Sequence, residues 1–459
     1  MIPLTNEQLY RIINTENNTI DKFRKANPQF NIDTSNLASS VQEIDHFEQL
    51  YSHMGIGSFE FSPSEFNFKY NFKRVDNYTF QQIFSDNDNF EGFLEHTSMD
   101  IRPVVIDEVH KMLSCQDPSM GHAIYECPDC HRTYCVPFTC KSRFCNTCAI
   151  KYQMDRALQI SSKLIRCTHR HIVFTIPKQL RKYFLDDRNL LNILFKAAES
   201  CILFRFKRRA PLKKYIPGII LVLHTFGKDL KWIPHIHCLV TEGASSNVPN
   251  CPENDIWINF QHFDYEGFRK SFQYCLLKSM KEYLVNTLSP DDFITFKKLV
   301  NQLYKSYDNG FYVRACPFEG HNTDGAVKYL LRYFNRPAMA QSRILYYDGN
   351  YVVFYYQRHE DNMFVIEKVH VYDLIERLII HIPDKHFKML RYAGLYSSHK
   401  CVHFDKLLKK LSDSSIKIKK QFANWRARIE LAFHYDPLIC PFCNCSMTFS
   451  ELVIAKNSS

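Results

Sequence analysis

The middle of the chain carries short apolar runs that predict β-strands. Residues 172–176 form one run, which Pro177 closes, and residues 218–223 and 238–240 form two more. Apolar runs of this length, bounded by proline, glycine or polar residues, are typical of buried strands. The link between the second and third runs is short, so these two strands should pair antiparallel. A further strand is predicted at residues 311–317.

Segments with apolar residues at helical spacing occur in the sequence both before and after these strands. The predicted helices cover residues 80–113 (as two helices), 152–165, 204–214, 260–307, 325–336 and 406–420. Pro337 ends the helix before it. Two later strands are predicted at residues 351–356 and 364–371, and residues 245–259 have the composition of a loop. This mixture of elements predicts an α+β fold.

Composition and charge narrow the class of protein. The chain has 459 residues, of which 45% are hydrophobic, enough for more than one domain core. It shows no apolar segment of membrane-spanning length and no signal peptide, so we expect a soluble, cytoplasmic protein without a membrane partner. Its 58 basic and 48 acidic residues give a net charge of +10, which is compatible with a polyanionic partner. The 17 cysteines favour thiols and metal over disulfides.

Two Cys-x-x-Cys motifs predict a structural zinc site. Cys127 and Cys130 form the first motif, and Cys145 and Cys148 form the second after an interval of fourteen residues. This spacing matches a zinc ribbon, in which four thiolates close a tetrahedron around Zn²⁺. Such a site has no open position, so we expect it to be structural rather than catalytic.

The residues between these motifs leave two questions open. Cys140, and less readily Cys135, could replace one of the four zinc ligands. Lys141 and Arg143 add positive charge beside the ion, which suits contact with a phosphate group. A solvated loop accounts for the same two residues equally well.

A third motif lies near the end of the chain. Cys440 and Cys443 form a single Cys-x-x-Cys turn, so they are candidates for a second zinc site or alternates for the first. Cys445 lies beside them, and Cys401 or His403 upstream could complete such a site.

A His-x-His motif on the third predicted strand indicates a second kind of metal site. His235 and His237 are two residues apart, so both imidazoles should project from the same face of the sheet. Two nitrogen ligands on a rigid strand suit a divalent cation. A pair of ordinary half-buried histidines is the alternative. His224, on the neighbouring strand, could be a third ligand, a residue that supports a ligand, or a structural histidine.

Two tyrosines share one face of the predicted helix that ends before Pro337. Tyr329 and Tyr333 are four residues apart, and Arg332 and Arg336 lie beside them. By itself a tyrosine pair at this spacing more often packs in a core than performs chemistry.

Taken in order, these motifs resemble those of one protein family. After the cysteine motifs come HIVFTIP at residues 171–177, LHTFG at 223–227, PHIHCLV at 234–240 and YLLRY at 329–333. The order continues with RI at 343–344, LRYAGLY at 390–396 and DPLICPFC at 436–443. The chain is thereby similar, over roughly residues 80–450, to the two-tyrosine HUH transposases of the insertion-sequence-ninety-one family, which belong to bacterial rolling-circle elements.

The resemblance implies a fold, an activity and cofactors. The fold would be that of the HUH endonucleases, an antiparallel sheet flanked by helices, with the paired histidines on a central strand. Tyr329 and Tyr333 would be the nucleophiles, and His235 and His237 would hold catalytic Mg²⁺ or Mn²⁺. Single-stranded element ends and a target site would be cut and joined through 5′-phosphotyrosine intermediates. The arginine between the two tyrosines, Arg332, could assist the chemistry or bind the flanking DNA backbone. The same resemblance implies that the protein lies in the bacterial cytoplasm, associated with the nucleoid.

The expected organisation has four parts. Residues 1–78 have no assigned role, residues 79–155 hold helices and the zinc-binding domain, and residues 156–345 form the HUH catalytic domain. Residues 346–459 form a mixed C-terminal region with a candidate second zinc knuckle. Three other functions stay open: a catalytically inactive, zinc-stabilised DNA-binding protein, a metal-dependent hydrolase that uses water, and an HUH replication initiator or relaxase.

Overall fold

The computed structural model describes most of the chain after residue 77. The described residues are 54–62, 78–161, 164–165, 167–209, 215–246, 248, 252, 256–259, 265–321, 337–358, 360–397, 426 and 436–454. They divide into two compact units. The first contains the described residues up to Ile101 and those from Met339 to Glu376, and the second contains Arg102 to Ala338 and the described residues from Arg377 onward.

The described residues form strands, α-helices and short 3₁₀ turns. The strands are β1 (Gly57–Phe61), β2 (Gly121–Glu126), β3 (Thr133–Pro137), β4 (His169–Thr175), β5 (Tyr215–Phe226), β6 (Trp232–Ser246), β7 (Trp257–Asn259), β8 (Val313–His321), β9 (Ile344–Tyr347), β10 (Tyr351–Gln357), β11 (Phe364–His370), β12 (Leu390–Gly394) and β13 (Thr448–Ile454). The α-helices are α1 (Phe80–Ser85), α2 (Asn89–His96), α3 (Pro103–Leu113), α4 (Asn146–Ser161), α5 (Arg181–Asp186), α6 (Leu190–Arg209), α7 (Tyr265–Leu284), α8 (Pro290–Ser306) and α9 (Val371–Ile379). The 3₁₀ turns lie at Asp86–Asp88, Pro118–Met120, Lys178–Leu180 and Gln341–Arg343.

The first unit is built on a four-stranded antiparallel sheet in the order β1-β11-β10-β9. The helices α1 and α2 bury Phe80, Phe84 and Phe90. The side-chain amide of Asn89 donates to the hydroxyl of Tyr347 at 2.9 Å, which ties α2 to β9. None of the residues predicted for a functional site falls in this unit.

The second unit is built on a larger antiparallel sheet in the order β12-β5-β6-β4-β8, with β7 also paired to β6. The two longest strands, β5 and β6, lie next to each other in its middle. Because β6 is paired on both sides, its side chains are fixed in register by β5 and by β4. This is the strand that carries the His-x-His motif.

Alternation along β5 sends apolar side chains to both faces of the main sheet. Leu221 and Leu223 point to the first face, where they share a core with residues of α6 and α7. Ile220 and Val222 point to the second face and share a smaller core with Ile160 of α4. The second face is thus apolar along the middle of β5, and it changes to histidine beyond Val222.

The motif at residues 390–396 has a packing role in this sheet. Gly218 and Gly394 are partners in the β5–β12 pair, and a Cβ added to Gly218 would lie 2.5 Å from the ring of Tyr396. The hydroxyl of Tyr396 is 2.6 Å from Nε2 of the buried His169. Burial raises the pKa of Tyr396 well above 10, so the phenol stays neutral and serves as a structural hydrogen-bonding group.

A small three-stranded sheet in the order β13-β2-β3 lies apart from the main sheet. The hairpin of β2 and β3 comes from the region of the first cysteine motif, and β13 comes from the end of the described chain. The pairing of β13 with β2 therefore joins two parts of the sequence that are far apart.

The predicted α+β class and the antiparallel sheet with flanking helices are confirmed. The strands predicted in the middle of the chain correspond to β4, β5, β6 and β8, and β5 and β6 are longer than predicted. The segment predicted as a loop contains β7, and the strands β1, β2, β3, β9, β12 and β13 were not predicted. The predicted helices at residues 325–336 and 406–420 lie outside the described residues. No helix among the described residues is long and apolar enough to span a membrane.

Candidate functional site

Three histidines meet on the second face of the main sheet. His235 on β6 is the register partner of His224 on β5, and His237 lies two residues further along β6. Opposed residues of an antiparallel pair share a face, as do residues two apart on one strand. The candidate ligand nitrogens of the three side chains lie within 4.8 Å of one another. We call His224, His235 and His237 the histidine cluster.

A fourth histidine contacts this cluster from the neighbouring strand. Nε2 of His171, on β4, lies 3.0 Å from Nδ1 of His237, and the two rings stack with centroids 5.2 Å apart. When Nδ1 of His237 carries the shared proton, its Nε2 is left to bind a metal. His171 was not among the predicted site residues. His171 lies two residues from Val173, which is paired with His237, so His171 and His237 share a face of the sheet. His171 could have been predicted only if the pairing of these two strands had been known.

Contacts with the chain hold the other two rings in place. Nδ1 of His235 lies 2.7 Å from the carbonyl oxygen of Ile233. A carbonyl only accepts hydrogen bonds, so Nδ1 of His235 is the donor and Nε2 is the ring nitrogen whose lone pair is available to a ligand. The ring of His224 stacks on Phe226, with centroids 5.3 Å apart and planes 13° apart.

Burial keeps the histidines of β6 uncharged. It lowers the pKa of His235 to about 4, although the hydrogen bond to Ile233 opposes the change. Burial also lowers the pKa of His237 well below 6.5, and the neighbouring histidines act in the same direction. Both side chains are therefore neutral at pH 7, which is the form of imidazole that binds metal ions.

The donor atoms of the histidine cluster indicate which ions it could accept. Three imidazole nitrogens suit first-row transition ions. Mg²⁺ prefers oxygen ligands and keeps several water molecules. The three histidines could therefore hold a divalent ion, and their donor set fits Mn²⁺ better than Mg²⁺.

Eight cysteines form two clusters, each with its four sulfur atoms within 4.8 Å of one another. The first cysteine cluster consists of Cys115, Cys140, Cys145 and Cys148. The second cysteine cluster consists of Cys127, Cys130, Cys440 and Cys443. The structure thus corrects the predicted grouping, because the pair Cys127 and Cys130 and the pair Cys145 and Cys148 lie in different clusters.

The fold explains this correction. Cys127 and Cys130 lie in the turn between β2 and β3, and the pairing of β13 with β2 brings the last cysteine motif to the same turn. Cys145 and Cys148 instead lie at the start of α4, near the end of α3 where Cys115 follows. A Cys-x-x-Cys turn supplies two ligands, but tertiary contacts decide which two turns meet.

The first cysteine cluster has the dimensions of a zinc site. The sulfur of Cys148 lies 3.7 Å from that of Cys115 and 3.5 Å from that of Cys140. Tetrahedral zinc with Zn–S bonds of about 2.3 Å places its sulfurs about 3.8 Å apart. Cys140, which the sequence offered as an alternate ligand, belongs to this cluster. Cys115 was missed, since a cysteine without a second cysteine nearby gives no spacing signal.

Of the other predicted site residues, two lie in the part of the chain that the structure describes and the rest lie outside it. Lys141 is exposed, and the guanidinium of Arg143 donates to the carbonyl of Phe387 at 3.2 Å. Contact of these two with DNA stays a prediction. Tyr329, Tyr333, Arg332, Arg336, Cys401 and His403 lie outside the described residues.

Two family models match the chain. The family described as "Putative transposase" matches residues 218–403, which contain the histidine cluster. The family described as "Transposase zinc-binding domain" matches residues 86–176, which contain the first cysteine cluster. This second match, with the cluster inside it, confirms structural zinc as a cofactor.

Two bacterial transposases are similar to the chain. The transposase for insertion sequence element IS801 of Pseudomonas savastanoi pv. phaseolicola is 27% identical over 388 residues, which cover 81% of this chain and 89% of the relative. The "Putative transposase y4qJ" of Sinorhizobium fredii (strain NBRC 101917 / NGR234) is 23% identical over 298 residues, which cover 61% of this chain and 71% of the relative. No solved structure matches the chain. The two family matches and the similarity to the IS801 protein together support the identification of the chain as an insertion-sequence transposase of the IS91 family.

Proposed function

We propose that this transposase cuts single-stranded DNA and transfers the cut end to a new strand through a tyrosine. The observation that carries the proposal is the histidine cluster, three imidazoles that meet on one face of an antiparallel sheet. Family membership makes the chain a DNA-processing enzyme with DNA as its partner. Single-strand cleavage with strand transfer is the chemistry of rolling-circle transposition, which is consistent with the family.

The histidine cluster would hold the catalytic divalent ion. His235 and His237 are the ligands expected from the sequence, and we assign His224 as the third because its nitrogen lies in the same 4.8 Å group. We favour Mn²⁺ over Mg²⁺ for this all-nitrogen donor set. A bound divalent ion polarises the scissile phosphate and offsets the negative charge that develops in the transition state.

Two hydrogen bonds fix the orientation of the proposed ligands on β6. The carbonyl of Ile233 holds Nδ1 of His235, and His171 holds Nδ1 of His237. Hydrogen bonds of this kind fix the tautomer and orientation of a metal-binding imidazole. His171 is therefore a positioning residue that acts through His237.

Tyr329 and Tyr333 are the proposed nucleophiles, supported by their sequence motif and by the family. The phenol oxygen of one tyrosine would attack the phosphorus, and the bond between phosphorus and the 3′ oxygen would break. The phenol loses its proton, and the leaving 3′ oxygen gains one. The products are a 5′-phosphotyrosine and a free 3′-hydroxyl, so the bond energy is kept for a later attack by another 3′-hydroxyl. Two tyrosines allow two such exchanges.

A covalent-adduct assay tests the proposal. The full chain would be mixed with labelled single-stranded oligonucleotides from the ends of the element, with Mn²⁺, Mg²⁺ or EDTA, and run on a denaturing gel. We expect a metal-dependent, slower band that disappears in the double variant Tyr329→Phe/Tyr333→Phe and in His235→Ala. The matched control is Tyr274→Phe, which changes an exposed tyrosine on α7 and should leave the band unchanged.

Other outcomes of the assay would support other functions. Cleavage with free 5′-phosphate ends and no adduct would indicate a hydrolase that uses water. Binding to confirmed element ends without cleavage would indicate a DNA-binding protein that has lost catalysis. An adduct that never transfers its strand to a second, target oligonucleotide would favour a replication initiator or relaxase.

A further inference from the structure

We propose that the second cysteine cluster is a second structural zinc site, and that its metal fastens residues 436–454 to the β2–β3 hairpin. Cys130 and Cys440, two of its members, are 310 residues apart in the chain. The matched zinc-binding family model ends at residue 176. Half of this ligand set therefore comes from a part of the chain that neither family match includes.

The two halves of this cluster have the same backbone geometry. The N–H of Cys127 donates to the carbonyl five residues on at 3.0 Å, and its carbonyl accepts from the N–H four residues on at 3.0 Å. Cys440 makes the same two bonds, at 2.8 Å and 3.0 Å. The residues four positions on, His131 and Asn444, both have positive φ, of 54° and 61°. Two turns remote in sequence thus form the same tight loop around a cysteine pair, as zinc knuckles do.

The same similarity extends to the sulfur atoms. The sulfur of Cys127 accepts hydrogen bonds from the backbone N–H groups two and three residues on. The sulfur of Cys440 accepts from the corresponding two groups of its own turn. Backbone N–H groups that point at a sulfur stabilise the thiolate form, which is the form that binds zinc.

The distances between the turns fit one tetrahedral ion. The sulfur of Cys127 lies 3.2 Å from that of Cys443, and the sulfur of Cys130 lies 3.6 Å from that of Cys440. Zinc bound by four thiolates requires about 3.8 Å between sulfurs. Each contact joins a cysteine of one turn to a cysteine of the other, so an ion placed between them would link the two turns directly.

The small sheet needs such a link because it buries few apolar side chains. The buried cluster beside it contains two of these cysteines and Met447. On β13, Phe449, Leu452 and Ile454 remain 58%, 50% and 70% exposed. A structure with so small a core depends on a metal or a covalent link for stability. The main-chain pairing of β13 with β2 should therefore be lost when the metal is removed.

Zinc content of the full chain tests the assignment. Counting only the zinc that a thiol-blocking reagent releases, which leaves out any ion held by the histidine cluster, we expect two ions per chain in the purified protein and one in the variant Cys440→Ser/Cys443→Ser. The variant Cys145→Ser/Cys148→Ser, which disrupts the first cysteine cluster, should also keep one. The matched control is Cys445→Ser, since this cysteine follows the knuckle but lies outside the four-sulfur group. It should keep two.

Two further measurements separate loss of the site from loss of folding. Cys443→His should retain both ions, because histidine can replace one thiolate at a zinc site. Limited proteolysis of Cys440→Ser/Cys443→Ser should remove the segment after residue 436 while the rest of the chain stays resistant, and Cys445→Ser should be cut as slowly as the natural chain. A natural chain with a single zinc ion, or a double variant that keeps two, would overturn the proposal.

Discussion

Metal binding at the histidine cluster should be unusually tolerant of acid, between about pH 7.5 and about pH 5.5. An imidazole binds a metal only in its neutral form, so protons compete with the metal below the pKa. Burial lowers the pKa of His235 to about 4 and that of His237 well below its ordinary value. Neither side chain should take up a proton over this interval.

The size of the effect follows from these pKa values. A histidine with the ordinary pKa of about 6.5 is about nine-tenths neutral at pH 7.5 and about one-tenth neutral at pH 5.5. One such ligand would weaken apparent metal affinity about tenfold over that interval, and two would weaken it about a hundredfold. His235, with a pKa of about 4, stays almost wholly neutral at pH 5.5, and burial lowers the pKa of His237 in the same direction. Protonation of His235 and His237 should therefore cause almost no loss of apparent metal affinity between about pH 7.5 and about pH 5.5.

Calorimetric titration of Mn²⁺ into the protein at several pH values measures this directly. The affinity of the natural chain should fall by much less than the roughly hundredfold loss that two ordinary histidines on β6 would cause. The variant His224→Ala should bind more weakly, but its affinity should change less than about twofold with pH. A fall of a hundredfold in the natural chain, or of tenfold in the variant, would show that the β6 histidines titrate normally and would refute the reasoning.

Two stability predictions test the packing around the site. Gly218→Ala should lower the free energy of unfolding by about 1–3 kcal/mol in urea titrations, because its Cβ would overlap the ring of Tyr396. Gly55→Ala, whose Cβ would meet nothing within 4 Å, should change it by less than about 0.5 kcal/mol, and equal effects would contradict the packing argument. Nε of the buried Arg170 donates to Glu242 at 2.5 Å, so Arg170→Leu should cost about 3–5 kcal/mol by leaving that carboxylate alone. Replacing both residues by leucine should recover most of this loss, and a double variant as unstable as the single one would refute the explanation.

The main sheet could be predicted from the sequence because its strands are buried on both faces. Such strands appear as continuous apolar runs, as at residues 218–223. The strands of the small sheet gave no such signal, since β13 exposes Phe449 and Leu452. Strand β12 was likewise seen only as a family motif. The packing explains two residues of this motif: Gly394 pairs with Gly218 of β5, and the ring of Tyr396 packs against Gly218.

Candidate metal ligands could be predicted only as far as local spacing determines them. His235 and His237 are two residues apart, so any strand places them on one face. His224 stayed ambiguous because its place depends on how β5 is aligned with β6. For the cysteines, the turn at Cys127 determines that two sulfurs point together, but not that Cys440 will meet them from the other end of the chain. That choice is made by strand pairing, which leaves no trace in the spacing.

The alignment of β5 with β6 therefore creates the histidine cluster, and the alignment of β4 with β6 adds the contact with His171. Each strand alternates its faces, so a shift of one residue between β5 and β6 would move His224 to the face occupied by α6 and α7. There it would displace Leu223 and bury an imidazole among apolar residues, which is costly without a hydrogen-bond partner. The apolar residues of β5 thus fix the position of His224 as firmly as they fix the core. On the other side of β6, β4 places Val173 opposite His237 and brings His171, two residues along the same face, into contact with the ring of His237. The core of the sheet and the geometry of the proposed metal site are therefore determined together.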